Sequence, residues 1–400
     1  MKKRMYVFAP EIDEVEAAKQ LYIDNYRSST MMRLMFYVTN ACNFRCVYCP
    51  QPHTEEYMLR ETMDSICNML ETRFGNAAPR ALSVSWFGGE PLLNQDIVFR
   101  GMERLSELCE AKGVRLFADM TTNAYGLNPK TFERLIKLGV NSFQITLDGT
   151  KETHDANRFT RSGEGTWERI WNHLLYINST EYDFKISLRV NVSPESAAEA
   201  AELIDLKRKT FDDRVTLQIQ PIMNMGGLGQ EGARYCSEAE AQQVRTDMYA
   251  VLGRLGDEGF SRIEHIMRPF GLMCSCANPD YMVIRTDGKI CKCELLIDDE
   301  HNIIGELSDG KLTLDRGLAA QYTAPSSAAE CLSCGILPLC FGLSCPHRKS
   351  LKGSCNMKGS FDLENHIKLL ADGLTHRRAQ LATASVGAAD PGRPSFSSCG

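Results

Sequence analysis

Short apolar runs alternate with amphipathic stretches from about residue 35 to residue 221. The apolar runs have the length of buried strands, and the stretches between them have the apolar spacing of helices that bury one face. The apolar runs predict strands at Met35–Thr39, Leu82–Trp86, Val114–Thr122, Ser142–Leu147, Lys185–Val192 and Val215–Gln220. The amphipathic stretches predict helices at Glu61–Phe74, Gln95–Ala111, Pro129–Leu138, Thr166–Ile177 and Glu195–Lys209.

The order of these elements predicts an α/β fold. Strands that alternate with helices of this length indicate repeated βα units and a parallel sheet. Parallel strands are usually buried on both faces, and the run Ile186–Val190 is apolar enough to fit that expectation. The six predicted units make a partial (β/α)6 barrel. In full (β/α) barrels the catalytic residues gather at the carboxyl ends of the strands.

Polar or glycine residues follow the first five predicted strands, at the edge where barrel enzymes place their chemistry. These segments are 38–50, 86–91, 121–124, 146–149 and 189–191. We therefore expect the functional residues of the first half of the chain to meet at this edge of the sheet.

Beyond the last predicted strand the pattern changes. The glycine-rich stretch Met223–Gly232 predicts a loop or boundary, helices are predicted near Ser237–Leu255 and Asp362–Ala382, and the Pro-, Gly- and Ser-rich tail after Ser385 predicts disorder. The chain then divides into an N-terminal extension (1–34), the partial barrel (35–225), a helical bridge (226–268), a cysteine-rich domain (269–358), a C-terminal helix (359–384) and a flexible tail (385–400).

The composition is that of an ordinary globular protein, with 43% hydrophobic and 24% charged residues. Lys and Arg total 45 against 51 Asp and Glu, and no basic stripe suggests nucleic-acid binding. No apolar segment is long enough for a transmembrane helix, and the apolar run after the basic start is too short for a secretory signal. We expect a cytoplasmic protein that binds neither nucleic acid nor membranes.

The sixteen cysteines are the most informative part of the composition. In a reducing cytosol, metal or cluster ligation is a better interpretation of so many cysteines than a disulfide framework. Three lie in one loop after the first predicted strand, and nine lie between Cys274 and Cys355. Cys67 and Cys109 fall on predicted helices, and we expect them in the core, because free cysteine behaves as a small hydrophobe.

The three cysteines of the loop, Cys42, Cys46 and Cys49, have the spacing CxxxCxxC. Three thiolates can hold three irons of a cubic iron–sulfur cluster and leave the fourth iron open to another ligand. A purely electron-carrying cluster normally has four cysteines. A structural zinc site also closes all four positions with protein ligands, so the alternative is a zinc site completed from elsewhere, for example by His53.

This spacing, with Tyr48 before the last cysteine, resembles the signature loop of radical SAM enzymes. In that family the open iron chelates the amino and carboxylate groups of S-adenosylmethionine (SAM). The resemblance implies a [4Fe-4S] cluster that reduces the bound SAM. The 5′-deoxyadenosyl radical that results can abstract hydrogen from an unactivated C–H bond.

Two further segments resemble the same family. Gly88–Glu90 resembles the GGE segment that lies against the methionine amino group of SAM, where glycines let the backbone approach a ligand. The segment Ile145–Arg158 resembles the strand-four motif of radical SAM enzymes that modify peptides and proteins, and its arginine offers a fork suited to a carboxylate. We expect His154 to be a local structural hydrogen bonder. The SAM-binding residues that the resemblance implies are Tyr48, Gly88, Gly89, Glu90, Asn123, Thr146, Asp148, Arg158 and Asn191.

The nine later cysteines resemble a SPASM domain, a module that binds auxiliary clusters in peptide-modifying radical SAM enzymes. One departure is that four residues, not three, separate Cys340 from Cys345. The ligands implied are Cys274, Cys276, Cys293 and Cys345 for a first auxiliary cluster, and Cys331, Cys334, Cys340 and Cys355 for a second. Cys291 is left over and could replace Cys274 or Cys276. A pair of structural zinc sites is the alternative.

Glu294 follows Cys293 directly. Enzymes of similar architecture that oxidise serine or cysteine to formylglycine carry an aspartate after the corresponding cysteine, proposed as a general base. Glutamate can do the same acid–base work, but its longer stem places the carboxylate elsewhere. The alternative is a solvated surface glutamate.

The resemblance covers about residues 35–358 and implies a radical SAM/SPASM enzyme with SAM and three [4Fe-4S] clusters. The main interpretation is maturation of a ribosomally made peptide by thioether, carbon–carbon or related modification. One alternative is an anaerobic sulfatase maturase. Another is a multi-cluster electron-transfer protein, although an electron carrier needs no SAM pocket.

The expected partners are a peptide or protein substrate and a reductant such as flavodoxin or ferredoxin. The roughly 34 residues before the first predicted strand are too few for the winged-helix domain that binds leader peptides in many such maturases. We therefore expect leader recognition by a separate leader-peptide-binding protein, by the tail or by the barrel itself.

Overall fold

The computed structural model describes residues 11–27, 30–51, 53–223, 235–253, 263–308, 310–325, 329–346, 355 and 361–387. The predicted glycine-rich loop, from residue 224 onwards, and most of the predicted tail, from residue 388 onwards, lie outside these ranges. Within the described ranges, no helix is long and apolar enough to cross a membrane.

One ten-stranded sheet contains all the strands of the described residues, in the order β10-β9-β8-β7-β1-β2-β3-β4-β5-β6. The strands are β1 (Met31–Tyr37), β2 (Ala81–Phe87), β3 (Arg115–Thr122), β4 (Val140–Thr146), β5 (Lys185–Val192), β6 (Val215–Pro221), β7 (Tyr281–Ile284), β8 (Lys289–Cys291), β9 (Ile303–Ser308) and β10 (Lys311–Leu314). Neighbours from β1 to β6 pair in parallel. This confirms the predicted α/β fold with six parallel strands.

Helices alternate with the parallel strands as predicted. The α-helices of the described residues are α1 (Glu14–Arg27), α2 (Arg60–Ala77), α3 (Gln95–Ala111), α4 (Pro129–Lys137), α5 (Lys151–Asn157), α6 (Trp167–Ser179), α7 (Ala197–Thr210), α8 (Glu238–Gly253), α9 (Arg316–Thr323), α10 (Ala329–Leu332), α11 (Leu337–Cys340) and α12 (Leu363–Gly387). Cys67 on α2 and Cys109 on α3 are 3% and 2% exposed, which confirms their predicted place in the core.

The bounds of β1 differ most from the prediction. The strand runs from Met31 to Tyr37, whereas the apolar pattern predicts Met35–Thr39. Arg33 is half-buried in the middle of the strand and interrupts the apolar run, so the sequence pattern does not predict the first half of β1. The pattern also does not predict α1 or α5, and α5 has only seven residues, too few for a helical period to show.

The cysteine-rich region continues the sheet of the barrel. β7 pairs in parallel with β1, so that Leu34 faces Met282 and Phe36 faces Ile284. β8, β9 and β10 then add in antiparallel order. The predicted boundary at residue 269 therefore separates two parts of one continuous sheet. The sequence pattern does not predict these strands, which are only three to six residues long.

The two faces of the parallel sheet differ in polarity. Trp86 on β2 is fully buried on the helical side, against Gly101 of α3. The opposite face carries polar pairs such as Ser85 and Asp119, where the serine hydroxyl donates to the carboxylate over 2.8 Å. In Ile186–Val190 only alternate residues are buried. The expectation that these strands are apolar and buried on both faces is therefore wrong, because the inner face is polar and partly open.

Two helical glycines provide a matched test of the packing of α3 on β2. A Cβ at Gly101 would lie 2.5 Å from Cη2 of Trp86 and 3.2 Å from Sδ of Met63, whereas a Cβ at Gly75 would meet no atom within 4 Å. We expect Gly101→Ala to lower the free energy of unfolding by about 1–3 kcal/mol through overpacking. Gly75→Ala should raise it by roughly 0.5–1 kcal/mol. Anaerobic urea denaturation measures both, and equal midpoints for the two variants would contradict this packing.

Candidate active site

The three-cysteine loop follows β1 and is fixed against the segment after α5. The N–H of Arg45 donates to the carbonyl of Phe159 over 2.8 Å. Cys42 and Cys46 are each 8% exposed, and Cys49 is half-buried. The three thiols therefore lie at the carboxyl end of the parallel sheet, where the barrel rule places chemistry.

The surroundings of these thiols favour the protonated form. Burial raises the pKa of Cys42 to about 12 and that of Cys46 to about 11, and it also raises the pKa of Cys49. The Sγ of Cys49 lies 3.3 Å from Nε2 of His53. Among the residues that the structure describes, no three side chains of His, Cys, Asp or Glu converge on a position for a single metal ion. Iron binding would have to displace the thiol protons, because the thiolate is the ligand.

The turn Gly88–Glu90 lies directly against the cysteine loop. A Cβ at Gly88 would be 2.2 Å from the carbonyl oxygen of Thr39, and one at Gly89 would be 2.3 Å from that of Ala41. The N–H groups of Gly89 and Glu90 donate to these same two carbonyls over 2.9 Å each. The close approach that requires glycine here is the contact of two backbones, so the turn supports the loop from the side of β2.

The Glu90 carboxylate joins the ends of β2 and β3. It is 1% exposed and accepts hydrogen bonds from the Thr122 hydroxyl and the Asn123 N–H, both over 2.7 Å, and from the Leu92 N–H over 3.0 Å. Nδ2 of Asn123 donates to Oδ1 of Asn43 in the cysteine loop over 2.8 Å. Glu90 and Asn123 thus stabilise the three-cysteine loop. That they also contact SAM stays a prediction.

A buried polar network joins the ends of β4 and β5 to the same loop. The Tyr48 hydroxyl donates to one carboxylate oxygen of Asp148, and it accepts from Arg158 over 2.8 Å and from Nδ2 of Asn191 over 3.1 Å. The N–H of Asn191 donates to the other oxygen of Asp148 over 2.8 Å. Burial raises the pKa of Asp148, and the Arg158 guanidinium opposes that shift. Residues from separate sequence segments therefore meet at one place.

Arg158 retains a donor that an anionic ligand would use. The side chain is 7% exposed, and its Nε is buried without a hydrogen-bond partner among the described residues. A buried donor without a partner is unfavourable unless a ligand satisfies it, and a guanidinium binds a carboxylate through two parallel N–H bonds. The residue therefore fits a carboxylate ligand, and its contact with SAM, which the sequence resemblance implies, stays a prediction.

Two other residues of the strand-four segment lie beside this network. Thr146, the last residue of β4, is 9% exposed. His154 is fully buried, accepts a hydrogen bond at Nδ1 from the N–H of Asp148 over 3.1 Å, and has Nε2 3.0 Å from the Thr166 hydroxyl. Burial lowers the pKa of His154 well below its usual value. His154 therefore has the local structural role that the sequence predicts.

Glu294 lies at this same edge of the sheet. Its carbonyl accepts a hydrogen bond from the hydroxyl of Tyr37, the last residue of β1, and its Oε2 accepts one from Tyr281 of β7 over 3.2 Å. The Tyr37 hydroxyl also accepts from Nε2 of Gln51 over 3.3 Å, just after the third cysteine. Burial raises the pKa of Glu294. Its carboxyl is half-buried and hydrogen-bonded, so the alternative of a freely solvated surface glutamate is wrong.

Three of the four cysteines predicted for the first auxiliary cluster come together beside Glu294. The Sγ atoms of Cys274 and Cys276 lie 3.3 Å apart. The hydrogen bond to Cys274, burial and the neighbouring thiol of Cys293 all raise the pKa of Cys276. Cys291 is fully buried within the main core on β8. The cysteine that the resemblance leaves over is thus packed as a small hydrophobe.

A second group contains Cys331, Cys334, Cys340 and Cys355. Burial raises the pKa of Cys340 to about 11, and the thiols of Cys355, Cys334 and Cys331 lie near enough to add to that shift. These are the four cysteines that the resemblance assigns to a second auxiliary cluster, and their role as its ligands stays a prediction. Cys345, in the loop after α11, is half-buried, and its place in the first group stays a prediction.

Sequence reasoning missed three residues of this edge, Tyr37, Gln51 and Tyr281. Tyr37 lies inside the predicted first strand, and its polar hydroxyl near the strand end was the signal available. Tyr281 gave no signal, because β7 is a four-residue strand whose pairing with β1 follows only from the tertiary fold.

Comparison with known proteins identifies the barrel. Residues 36–206 match the model of the radical SAM superfamily. A serine-type anaerobic sulfatase-maturating enzyme of Klebsiella aerogenes is 25% identical over 345 residues, which cover 82% of this chain and 82% of that protein.

Solved structures show the same fold over most of the chain. Native anSMEcpe with bound AdoMet and Cp18Cys peptide aligns with a TM-score of 0.61 and 17% identity, covering 89% of this chain and 99% of that one. Streptococcus suis SuiB bound to S-adenosylmethionine aligns with a TM-score of 0.55 and 17% identity, covering 82% and 76%. Together with the family match, the parallel strands and the three-cysteine loop at their carboxyl ends show that this chain carries a radical SAM domain at residues 36–206.

Proposed function

We propose that this protein abstracts a hydrogen atom from a residue of a peptide or protein substrate and oxidises that residue further. The observation that supports this most directly is the hydrogen bond from Tyr37 to Glu294. The bond is made to the main-chain carbonyl of Glu294, and it holds this residue, whose carboxyl is an acid–base group, at the strand end from which the three-cysteine loop begins. An electron carrier has no need of such a group beside its cluster.

The residues at the edge of the sheet fit the cofactors of the family. Cys42, Cys46 and Cys49 would hold the cluster that leaves one iron open, and the free Nε of Arg158 would bind the carboxylate of SAM. When bound, these cofactors supply a 5′-deoxyadenosyl radical. Asp148 and Asn191, fixed by the hydroxyl of Tyr48, would position the rest of the SAM molecule.

The two later cysteine groups would hold one auxiliary cluster each. The first would be held by Cys274, Cys276, Cys293 and Cys345, and the second by Cys331, Cys334, Cys340 and Cys355. Clusters with four cysteine ligands have no open iron, and they would serve in electron transfer. The second group supports this in one respect, since the thiols of Cys331, Cys334 and Cys355 all raise the pKa of Cys340.

Sequence similarity favours formylglycine formation among the possible products. The relative that matches over 82% of both chains is a serine-type anaerobic sulfatase-maturating enzyme. Oxidising a serine CH–OH to C=O removes one hydrogen atom, one proton and one electron. With the cofactors bound, the hydrogen atom would go to the 5′-deoxyadenosyl radical, and the cysteine groups of the C-terminal region would hold a cluster able to accept the electron. Glu294 would accept the proton, and burial, which raises its pKa, favours that role.

Crosslinking of a ribosomally made peptide is the second candidate. Glu294 stands where the resemblance to sulfatase maturases places an aspartate, and the longer side chain would present its carboxylate to a differently placed substrate. In either case the enzyme would need an external reductant such as flavodoxin or ferredoxin. A separate protein that binds a leader peptide would be a further partner of a crosslinking enzyme.

The cluster assignment predicts iron content and SAM cleavage. Anaerobic reconstitution should give about twelve irons per chain for three cubic clusters. Cys46→Ala should retain about eight and form no 5′-deoxyadenosine with dithionite and SAM. Cys109→Ala, a buried cysteine outside all three groups, is the control and should keep the full iron content. A wild-type value of about four irons would remove the auxiliary clusters from the proposal.

The assignment of Arg158 predicts weaker SAM binding when its fork is lost. Arg158→Lys keeps the charge but replaces the planar fork with a point charge, so we expect the dissociation constant for SAM to rise about tenfold or more. Equilibrium dialysis of reconstituted enzyme with labelled SAM measures this. Arg134→Lys, on the outer face of α4, is the control. Unchanged SAM binding in Arg158→Lys would remove this residue from the pocket.

The assignment of Glu294 predicts loss of product without loss of radical formation. Glu294→Gln should lower product formation by about a hundredfold or more, the usual range for a general base, while 5′-deoxyadenosine still forms. Glu306→Gln, an exposed glutamate on β9, is the control. The assay uses short peptides that contain serine or cysteine, with mass spectrometry for the loss of two hydrogens and a hydrazide probe for aldehyde.

Aldehyde in the wild-type product would support formylglycine formation. A loss of two hydrogens without aldehyde would support a crosslink. If Glu294→Gln retains full turnover, Glu294 is not the base.

A further inference from the structure

Asn302 is a fully buried asparagine at the end of the short helical turn Glu300–Asn302, directly before β9. Neither the sequence resemblance nor the proposed chemistry gives it a role. Buried polar side chains are nearly always hydrogen-bonded. Four hydrogen bonds of the Asn302 side chain go to a single loop, and a longer one comes to its Oδ1 from the Tyr322 hydroxyl over 3.4 Å.

The side-chain amide of Asn302 is saturated by that loop. Its Oδ1 accepts from the N–H of Lys292 over 3.1 Å and from the N–H of Cys293 over 2.8 Å. Its Nδ2 donates to the carbonyls of Cys293 and Leu296, both over 2.8 Å. An amide has two N–H donors and a carbonyl with two lone pairs. The loop makes four short hydrogen bonds to these groups, which matches that number.

Glu294 lies inside the span that Asn302 holds. We call the hydrogen bonds of the Asn302 side chain to this loop the Asn302 clamp. It holds the backbone at Cys293, directly before Glu294, and at Leu296, two residues after it. Tyr37 holds the carbonyl of Glu294, and Tyr281 holds its carboxyl. Because the backbone is held on both sides of Glu294, few side-chain conformations are open to this residue.

A buried ammonium group ties the same loop to β7. Nζ of Lys292 donates to the carbonyl of Asn278 over 2.7 Å and to that of Tyr281 over 2.8 Å. Tyr281 is the residue whose hydroxyl donates to the Glu294 carboxyl. The loop that carries the carboxyl and the strand that carries its hydrogen-bond donor are therefore fixed to each other.

We propose that Asn302 is the positioning residue that directs the Glu294 carboxyl to the substrate side of the sheet edge, an inference that rests on the proposed function of Glu294. Only an amide can both accept from the N–H groups of Lys292 and Cys293 and donate to the carbonyls of Cys293 and Leu296. An aspartate of the same shape would still accept from the two N–H groups, but it would face the carbonyls of Cys293 and Leu296 with a second oxygen and leave them without donors.

The test uses Asn302→Asp in the reconstituted full-length enzyme. We expect faster hydrogen–deuterium exchange in peptides that cover residues 290–297. Product formation should fall about tenfold or more, since two hydrogen bonds to buried carbonyls are lost. The Michaelis constant for SAM and the rate of 5′-deoxyadenosine formation without peptide should stay within about twofold of wild type.

A double variant separates positioning from a general loss of fold. Because Asn302 acts through Glu294, the variant with both Asn302→Asp and Glu294→Gln should be no slower than Glu294→Gln alone. Asn128→Asp is the matched control, because Asn128 caps α4 by accepting from the Thr131 N–H over 3.1 Å, and aspartate can do the same. If Asn302→Asp does not fold, Asn302→Ser, which keeps one donor and one acceptor, takes its place.

Two results would overturn the inference. One is wild-type exchange at residues 290–297 together with wild-type product formation in Asn302→Asp. The other is a double variant in which product formation falls by the product of the two single-variant factors. Asn302 would then act on the fold and not through Glu294. The exchange measurement needs no substrate, so it decides whether the clamp exists even if no peptide is turned over and the proposed function fails.

Discussion

The strand β1 pairs in parallel with β2 on one side and with β7 on the other, and this pairing fixes where the candidate site lies. Parallel strands place their carboxyl ends at one edge of the sheet, so the loop after β1 meets the turns after β2 to β5. The pairing with β7 brings the cysteine-rich region to that same strand. Tyr37, at the end of β1, then contacts Glu294, which follows a cysteine of the later group.

The polarity of the site follows from the same sheet. Its helical face is closed by apolar packing such as Trp86 against α3, while alternate residues on the inner face are polar and half-buried. Charged groups at the edge therefore sit in partly dry surroundings, where interactions between them are strong. Burial opposes the charge of Arg158, and the neighbouring Asp148 carboxylate favours it, raising the pKa of the guanidinium. The network is thus suited to fixing a polar cofactor and limiting water.

Much of the candidate site could be predicted from the sequence. The CxxxCxxC spacing and the residues at strand ends are local features, and local spacing is enough to select Cys42, Asp148 and Arg158 as candidate site residues. The assignment of Cys331, Cys334, Cys340 and Cys355 to a second cluster stays a prediction. Tyr281 and Asn302 could not be found in this way, because each acts through a partner loop that only the folded chain brings close.

The sequence alone is enough to predict the alternation of strands and helices, the three-cysteine loop, and the edge of the sheet at which the candidate site lies. These follow from periodicity and from the rule that parallel strands share a direction. Only the folded chain shows that the cysteine-rich region extends the same sheet and that the Glu294 carboxyl accepts a hydrogen bond from Tyr281. It also shows that Cys291 lies in the core. The physical reason is that short strands and buried hydrogen bonds gain their stability from residues distant in the chain, which no local pattern records.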